Sequence, residues 1–336
     1  MTLPATLEEA TSLEWIESIL GVGVLRVVVG EIDERVSTNT PVSVELADGS
    51  RRDLWIKGYF SEVGRQFRHA GIPEAMFYRE LSGWVGIRTL RPVHVEVDLD
   101  SGANVVVTED VANTGARFLN SLSPYSPVQA AESLAQLARL HSATWMSATG
   151  DADWLRPRLV SYTIARGVKD IRSNFESDIG AGVPEEVRDS DRLHAAYKVL
   201  AMDAANATPW AVIHGDPHIG NLFLDADGRP TFVDWQLVQR GPWYLDVGYH
   251  LVSSLTIEDR RANEQELVRH YLTCLAAGGV EPPTEGEVWK GLRRSFLHGF
   301  YLWAITLKVD PRVTATLLER LGTAVSDHSA FKEVSF

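Results

Sequence analysis

Among the 336 residues, Cys274 is the only cysteine, so an internal disulfide framework and a cysteine-based zinc site are both excluded, and a reducing compartment is expected. Positive charge is also scarce. Lys and Arg number 32 against 45 Asp and Glu, a net charge of −13, which argues against the broad phosphate-backbone footprint of a DNA- or RNA-binding protein. Long apolar runs are missing too: the most apolar stretches are broken by Arg26 or His298 and fall short of the roughly 18 to 20 residues of a membrane span. Met1 to Ala10 carries acids where a signal peptide has a basic segment and an apolar run, so the sequence predicts no signal peptide and a cytoplasmic location. No repeat, heptad run or low-complexity segment stands out. What remains is a folded globular chain, 45% hydrophobic and 23% charged, long enough for two cores.

The hydrophobic period changes near residue 113. Before it, Thr6 with Glu9 and Thr11 with Glu14 have capping-box spacing ahead of Leu13, Ile16 and Leu20, which predicts an opening helix. Strands are expected at Val24 to Val29, Val42 to Leu46 and Asp53 to Phe60, with the turn Ala47-Asp48-Gly49 between the last two. Pro73 opens a short helix through Leu81, and two more strands follow at Pro92 to Val97 and Asn104 to Glu109. Beyond residue 113 the pattern is mostly helical. Ser126, Pro127 and Gln129 form an N-cap, first-position proline and capping glutamine for a helix with the stripe Ala130, Leu134, Leu137, His141 and Trp145. Phe296 to Leu307 is apolar on nearly all sides, as in a helix buried within a bundle.

One β interruption, Val212 to Val233, lies inside this helical half. It contains His214-Gly215-Asp216-Pro217-His218, then Asn221, and is followed by Asp234-Trp235-Gln236. Leu222 to Leu224 and Thr231 to Val233 flank an Asp/Gly turn and read as an antiparallel hairpin, which sets Asn221 and Asp234 at its open end with Asp216 one tight loop upstream. One amide oxygen and two carboxylates converging in this way suit Mg²⁺, which takes a few protein oxygens together with phosphate oxygens.

His214-x-Asp216-x4-Asn221 followed by Asp234 resembles the catalytic loop and metal-binding aspartate of the protein-kinase-like fold in its small-molecule branch. The aminoglycoside phosphotransferase and ecdysteroid-kinase-like families, with His-Gly-Asp and Asp-Trp-Gln at these places, are most similar. Leu54-Trp55-Ile56-Lys57-Gly58 resembles the lysine strand, Glu74 to Leu81 the helix bearing its glutamate partner, and Val106 to Val111 the hinge strand. Leu137 to Trp145 is similar to the helix before the loop, and Gly241-Pro242-Trp243-Tyr244-Leu245-Asp246-Val247-Gly248-Tyr249 and Arg260-Arg261 with Glu264 continue the match.

The resemblance implies an α+β, two-lobed fold. Its small β-rich N-terminal lobe spans residues 1–112 and ends in the hinge, and its larger helical lobe spans 113–336. The implied reaction moves the γ-phosphate of ATP onto a hydroxyl of a small molecule. Asp216 would take or orient the hydroxyl proton, and Asn221 and Asp234 would hold Mg²⁺. Lys57, positioned by Glu74 with Glu80 as a competing acid, would contact the phosphates, and the backbone of Glu109, Asp110 and Val111 would meet the adenine. Asp246 would tether the loop. The turn Gly30 to Thr40 departs from the family in lacking a glycine-rich pattern, and backbone N–H groups around Ser37 to Thr40 are the alternative anion nest.

Two other functions compete. His214-x-Asp216-x-His218 offers the ligand types of a zinc- or iron-dependent hydrolase, and a kinase fold without activity would act as a binding module. For the acceptor, the sequence points to a bulky, partly apolar hydroxyl compound, sterol-like or aminoglycoside-like, with Trp154, Tyr162, Phe175, Trp235, Trp243 and Tyr244 as candidate pocket aromatics. The charge of −13 disfavours an anionic acceptor unless a local basic patch intervenes.

Overall fold

The computed structural model describes residues 3–334. Contacts divide the chain into two compact units. The first runs through Trp84 and adds Thr89–Arg117 and Val233–Gln236; the second comprises Val85–Arg88, Phe118–Phe232 and the chain from Leu237 onward.

The first unit is built on an antiparallel sheet. Helix α1 (Leu13–Leu20) leads into β1 (Val24–Val29), β2 (Thr38–Leu46) and β3 (Arg51–Gly58); a short helix α2 (Ile72–Met76) precedes β4 (Pro92–Val97) and β5 (Asn104–Glu109). The strand order is β1-β2-β3-β5-β4, with the two-residue strand Asp33–Glu34 paired to β2. Alternation along each strand sorts the side chains by face. Val42, Val44, Leu54, Ile56, Val105 and Val107 are buried together with Ile16 and Trp15 of α1, so this face forms the core. Truncating one of these positions, such as Leu54→Ala, costs about 2–5 kcal/mol. Lys57 follows Ile56 by one residue and therefore lies on the opposite face.

Ser12, not Thr11, caps α1: the Ser12 side chain accepts from Trp15 N–H, while the Thr11 hydroxyl donates back to Leu7 C=O at 2.8 Å. The strand expected at Val42 begins four residues earlier, at Thr38, and helix Glu62–Phe67, capped by Ser61, had no apolar period long enough to announce it. The early start of β2 removes the expected anion nest. Thr38 and Asn39 pair with Glu34 and Asp33 on one side and with Gly58 and Lys57 on the other, so this segment is ladder.

The second unit is mostly helical: α3 (Pro127–Thr144), α4 (Ser190–Ala205), α5 (Tyr244–Ser254), α6 (Ile257–Ala277), α7 (Glu285–Ala304) and α8 (Pro311–Asp327) are its long helices. Ser126 and Gln129 form the capping box of α3, as the spacing predicts. Helix α7 begins at its own capping box, Thr284 with Glu287, and ends at Ala304; the expectation that it continues to Leu307 fails, since Leu307 is 43% exposed. Four short strands interrupt the helices. β6 (Ala211–Ile213) pairs with β9 (Gln239–Gly241), and β7 (Leu222–Leu224) pairs with β8 (Pro230–Phe232), one residue earlier than the expected Thr231 to Val233. Asp225 closes the hairpin turn, accepting from the N–H groups of Asp227 and Arg229. Among the described residues no helix is long and apolar enough to cross a membrane.

Candidate active site

In the first unit the pleat aims Lys57 at Glu74, which α2 carries in its first turn. Lys57 Nζ stands 2.6 Å from Glu74 Oε2 and 3.5 Å from Asp234 Oδ1. Burial opposes the ammonium charge, but the Asp234 and Glu74 carboxylates outweigh it and hold the Lys57 pKa above its ordinary value. Glu80 takes no part: it lies beyond the point where the helix widens into a π turn, Phe77–Leu81, and pairs with Arg79 at 2.9 Å.

Asp234 has φ +63°, a left-handed conformation that costs an aspartate of order 1 kcal/mol or more and that its surroundings must enforce. They do so through the next two residues. Trp235 stacks on Phe77 with centroids 3.6 Å apart, its indole Nε1–H donates to Thr89 Oγ1 at 2.9 Å, and its backbone N–H donates to Glu74. Gln236 Nε2 donates to the Tyr59 hydroxyl at 3.4 Å. Lys57, Glu74 and Asp234 are thus one connected group.

Glu109, Asp110 and Val111 leave the end of β5. Glu109 pairs with Leu54 in the ladder, three positions along from Lys57 and therefore roughly 10 Å away. Its carboxylate forms an ion pair with Arg52, Asp110 N–H donates to Asp53 C=O at 2.9 Å, and Val111 C=O accepts from Thr114 N–H at 3.0 Å.

In the second unit the loop after β6 is held from below. Asp246, fully buried in the first turn of α5, accepts from His214 N–H at 2.7 Å and Gly215 N–H at 2.9 Å, and its Oδ2 lies 3.2 Å from His141 Nε2. Burial raises its pKa, yet the His141 hydrogen bond and charge and the loop N–H groups prevail, so the carboxyl stays below its ordinary range. Gly215 is required at φ +83°, because a Cβ there would come within 2.2 Å of Leu237 C=O.

Asp216 follows, partly exposed. Its Oδ1 accepts from the Tyr249 hydroxyl at 3.0 Å, and Tyr249 in turn accepts from Trp303 Nε1–H at 2.7 Å. Asn221 Nδ2 donates to Asp216 C=O at 2.8 Å, which leaves its Oδ1 as the acceptor atom suited to a hard cation. His250 fixes Pro217: with Nδ1 donating to Pro217 C=O at 2.8 Å, Nε2 accepts from Ser133 Oγ at 2.5 Å, and burial pulls the pKa of this neutral imidazole down to about 4.

The two histidines of His214-x-Asp216-x-His218 are committed locally. His214 is fully buried and its Nδ1 accepts from Asp216 N–H at 3.3 Å, while His218 Nδ1 accepts from Gly220 N–H at 2.9 Å. A zinc or iron cage would have to break these bonds.

A cavity of about 410 Å³ opens beside Asp216 and His218. Its wall comes from Leu237, Tyr249 and the end of α7 with the loop after it, Leu302 to Val309. Most of the aromatics expected to line it are elsewhere. Phe175 stacks on Phe300 and Trp235 on Phe77, both as core, while Trp243, stacked on Tyr271, and Tyr244 line a separate cavity with Trp145 and Arg294. Tyr249, the last residue of the Gly241-to-Tyr249 motif, and Trp303 do stand at the site; Trp303 carries no sign in the sequence of facing Asp216.

A sheet unit with a buried Lys–Glu pair and a helical unit with an anchored His-Gly-Asp loop are the parts of the two-lobed kinase-like fold. The chain belongs to the phosphotransferase enzyme family, whose sequence pattern matches residues 65–282, more than half of its length. A stretch of 91 residues is 31% identical to an uncharacterized kinase-like protein of Caenorhabditis elegans, covering 26% of this chain and 24% of that relative, so the match spans about a quarter of the relative's length. Among solved structures, the choline kinase of Cryptosporidium parvum superposes with a TM-score of 0.53 at 12% identity, over 91% of this chain and 89% of that one. The choline kinase of Streptococcus pneumoniae does so with a TM-score of 0.50 at 15% identity, over 94% and 97%. At these identities the likeness is one of fold.

Proposed function

We propose that the protein transfers the γ-phosphate of ATP to a hydroxyl of a partly apolar small molecule, with Asp216 as the proton acceptor. The observation that carries this reading is the buried Lys57 charge held by Glu74 at 2.6 Å and shared with Asp234. A structural ion pair needs only one acid; a second, on a residue in left-handed backbone, is what a phosphate- and metal-binding group requires. Lys57 then contacts the α- and β-phosphates, the backbone of Glu109 to Val111 receives the adenine, and Asn221 and Asp234 hold Mg²⁺. When bound, the metal neutralises charge on the phosphoryl oxygens.

In the transfer, Asp216 takes the proton of the acceptor hydroxyl while its oxygen bonds to the γ-phosphorus. The bond from that phosphorus to the β,γ-bridging oxygen breaks and ADP departs. Tyr249, donating to Asp216 Oδ1 at 3.0 Å, and Asn221 Nδ2, donating to Oδ2 at 3.4 Å, hold the carboxylate in place for this step. The acceptor occupies the cavity beside Asp216, whose wall at Leu302, Ile305 and Leu307 favours a sterol-like amphiphile over a polycationic aminoglycoside-like compound, since Asp216 is the sole carboxylate of the lining. The location we expect for this chemistry is the cytoplasm, where ATP is plentiful.

Thermal unfolding with and without MgATP, followed by ADP release across a panel of hydroxylated amphiphiles, tests the proposal. A rise in melting temperature that needs both nucleotide and Mg²⁺ supports it. No rise at millimolar MgATP, for protein shown to be folded, refutes it.

A further inference from the structure

The cavity beside Asp216 is basic in a chain that is strongly acidic. Acids outnumber Lys and Arg by 45 to 32 overall, yet the lining holds Arg166 and Lys308 and no carboxylate except Asp216. The charge of Arg166 is partly offset by Asp170, 3.2 Å away and itself outside the lining. Lys308 enters no ion pair among the described residues. It stands between Leu307 and Val309, which are 43% and 42% exposed and line the same cavity. A ligand that joins an anion to an apolar body would pair with this cation and cover the apolar side chains beside it at the same time. A sugar phosphate would answer the cations and leave the apolar wall wet; a neutral sterol would cover the wall and leave Lys308 unanswered.

Resting on the reading of Asp216 as the transfer site, we propose that the acceptor is a hydroxylated amphiphile that carries a carboxylate. Its hydroxyl meets Asp216, its apolar body lies along Leu302, Ile305 and Leu307, and its carboxylate pairs with Lys308 and Arg166. The product is the phosphate ester of a hydroxy acid, formed by the step written above with the hydroxyl proton passing to Asp216. The net charge of the whole chain argues against an anionic acceptor only in the absence of a local basic patch, and Lys308 with Arg166 is that patch.

Three probes with the same twelve-carbon chain decide the matter: 12-hydroxydodecanoate, its methyl ester and 12-hydroxydodecyl-trimethylammonium, whose binding is measured by titration calorimetry without nucleotide. The expected result is that the acid binds several-fold more tightly than the ester and the ammonium compound binds least. Lys308→Glu should weaken the acid by roughly five- to tenfold, the scale of reversing one partly shielded ion pair, and leave the ester within about twofold. Lys308→Arg should restore the preference, and raising the salt concentration should erode it. The proposal is overturned if the ester or the ammonium compound binds as well as the acid, if none of the three binds, or if Lys308→Glu weakens acid and ester alike. The readout involves no turnover, so a protein that binds the acid and is not stabilised by MgATP would remove the kinase reading and leave the carboxylate site standing.

Discussion

Asp246→Asn keeps the shape of the side chain and removes one of its two oxygens, and the structure says what that costs. Oδ2 serves His214 N–H at 2.7 Å and His141 Nε2 at 3.2 Å; Oδ1 serves Gly215 N–H at 2.9 Å. An asparagine amide nitrogen in the place of Oδ2 would face two donors, and in the place of Oδ1 only one, so the second orientation wins. One buried N–H then meets another donor, at about 1–3 kcal/mol, and the two surviving bonds lose their charge assistance, at about 1 kcal/mol together. The expected loss is about 2–4 kcal/mol, with Asp246→Ala worse because it orphans all three donors. Urea unfolding followed by tryptophan fluorescence measures it as a lower midpoint at unchanged slope. Since the folded carboxyl lies below its ordinary range, its contribution is present above the unfolded pKa and disappears as the pH falls through the folded one. Asn at 246 should therefore also flatten the acid limb of the stability profile. A variant within about 0.5 kcal/mol of wild type would refute the argument. Because His214 and Gly215 carry Asp216, turnover should fall in the same variant while stabilisation by MgATP persists.

Asp216→Asn should lower turnover by roughly 10²–10⁴-fold with nucleotide stabilisation intact, whereas Asp234→Asn should abolish that stabilisation as well; wild-type turnover in Asp216→Asn would contradict its role. Lys57→Met, which leaves the Glu74 carboxylate buried without its cation, should lose both stability and the MgATP shift, and a melting temperature matching wild type with MgATP present would contradict this. Tyr249→Phe leaves the Trp303 indole N–H and Asp216 Oδ1 without a partner; kcat should drop roughly tenfold with the KM for ATP unchanged, and an equal rise in that KM would point to general disruption instead. His250, depressed to about 4 by burial, binds its proton more readily unfolded, so stability should decline as the pH falls from about 6.5 toward 4, and His250→Gln should weaken that slope when urea midpoints are compared across the range.

The His-Gly-Asp loop was legible in the sequence because its geometry is local. His214, Gly215, Asp216, Asn221 and the hairpin after them lie within a few turns and short strands, where spacing and turn chemistry set the shape. The strands at Pro92 to Val97 and Asn104 to Glu109 were legible for the same reason: two short runs rich in valine on either side of the turn Asp100-Ser101-Gly102 read as a hairpin. Other features depended on contacts that no local pattern encodes. Glu74 prevails over Glu80 because the π turn and the packing of Phe77 on Trp235 decide which acid meets Lys57. Phe175 and Trp235 had the composition of a pocket wall, and only their ring partners make them core. The wall itself comes from Leu302 to Val309, far from Asp216 in the chain, and its charge comes from Arg166 and Lys308, which nothing in the sequence connects. Composition and period determine which face of an element is buried; which buried or charged face meets Asp216 is a long-range packing outcome, decided only when the helices close around it.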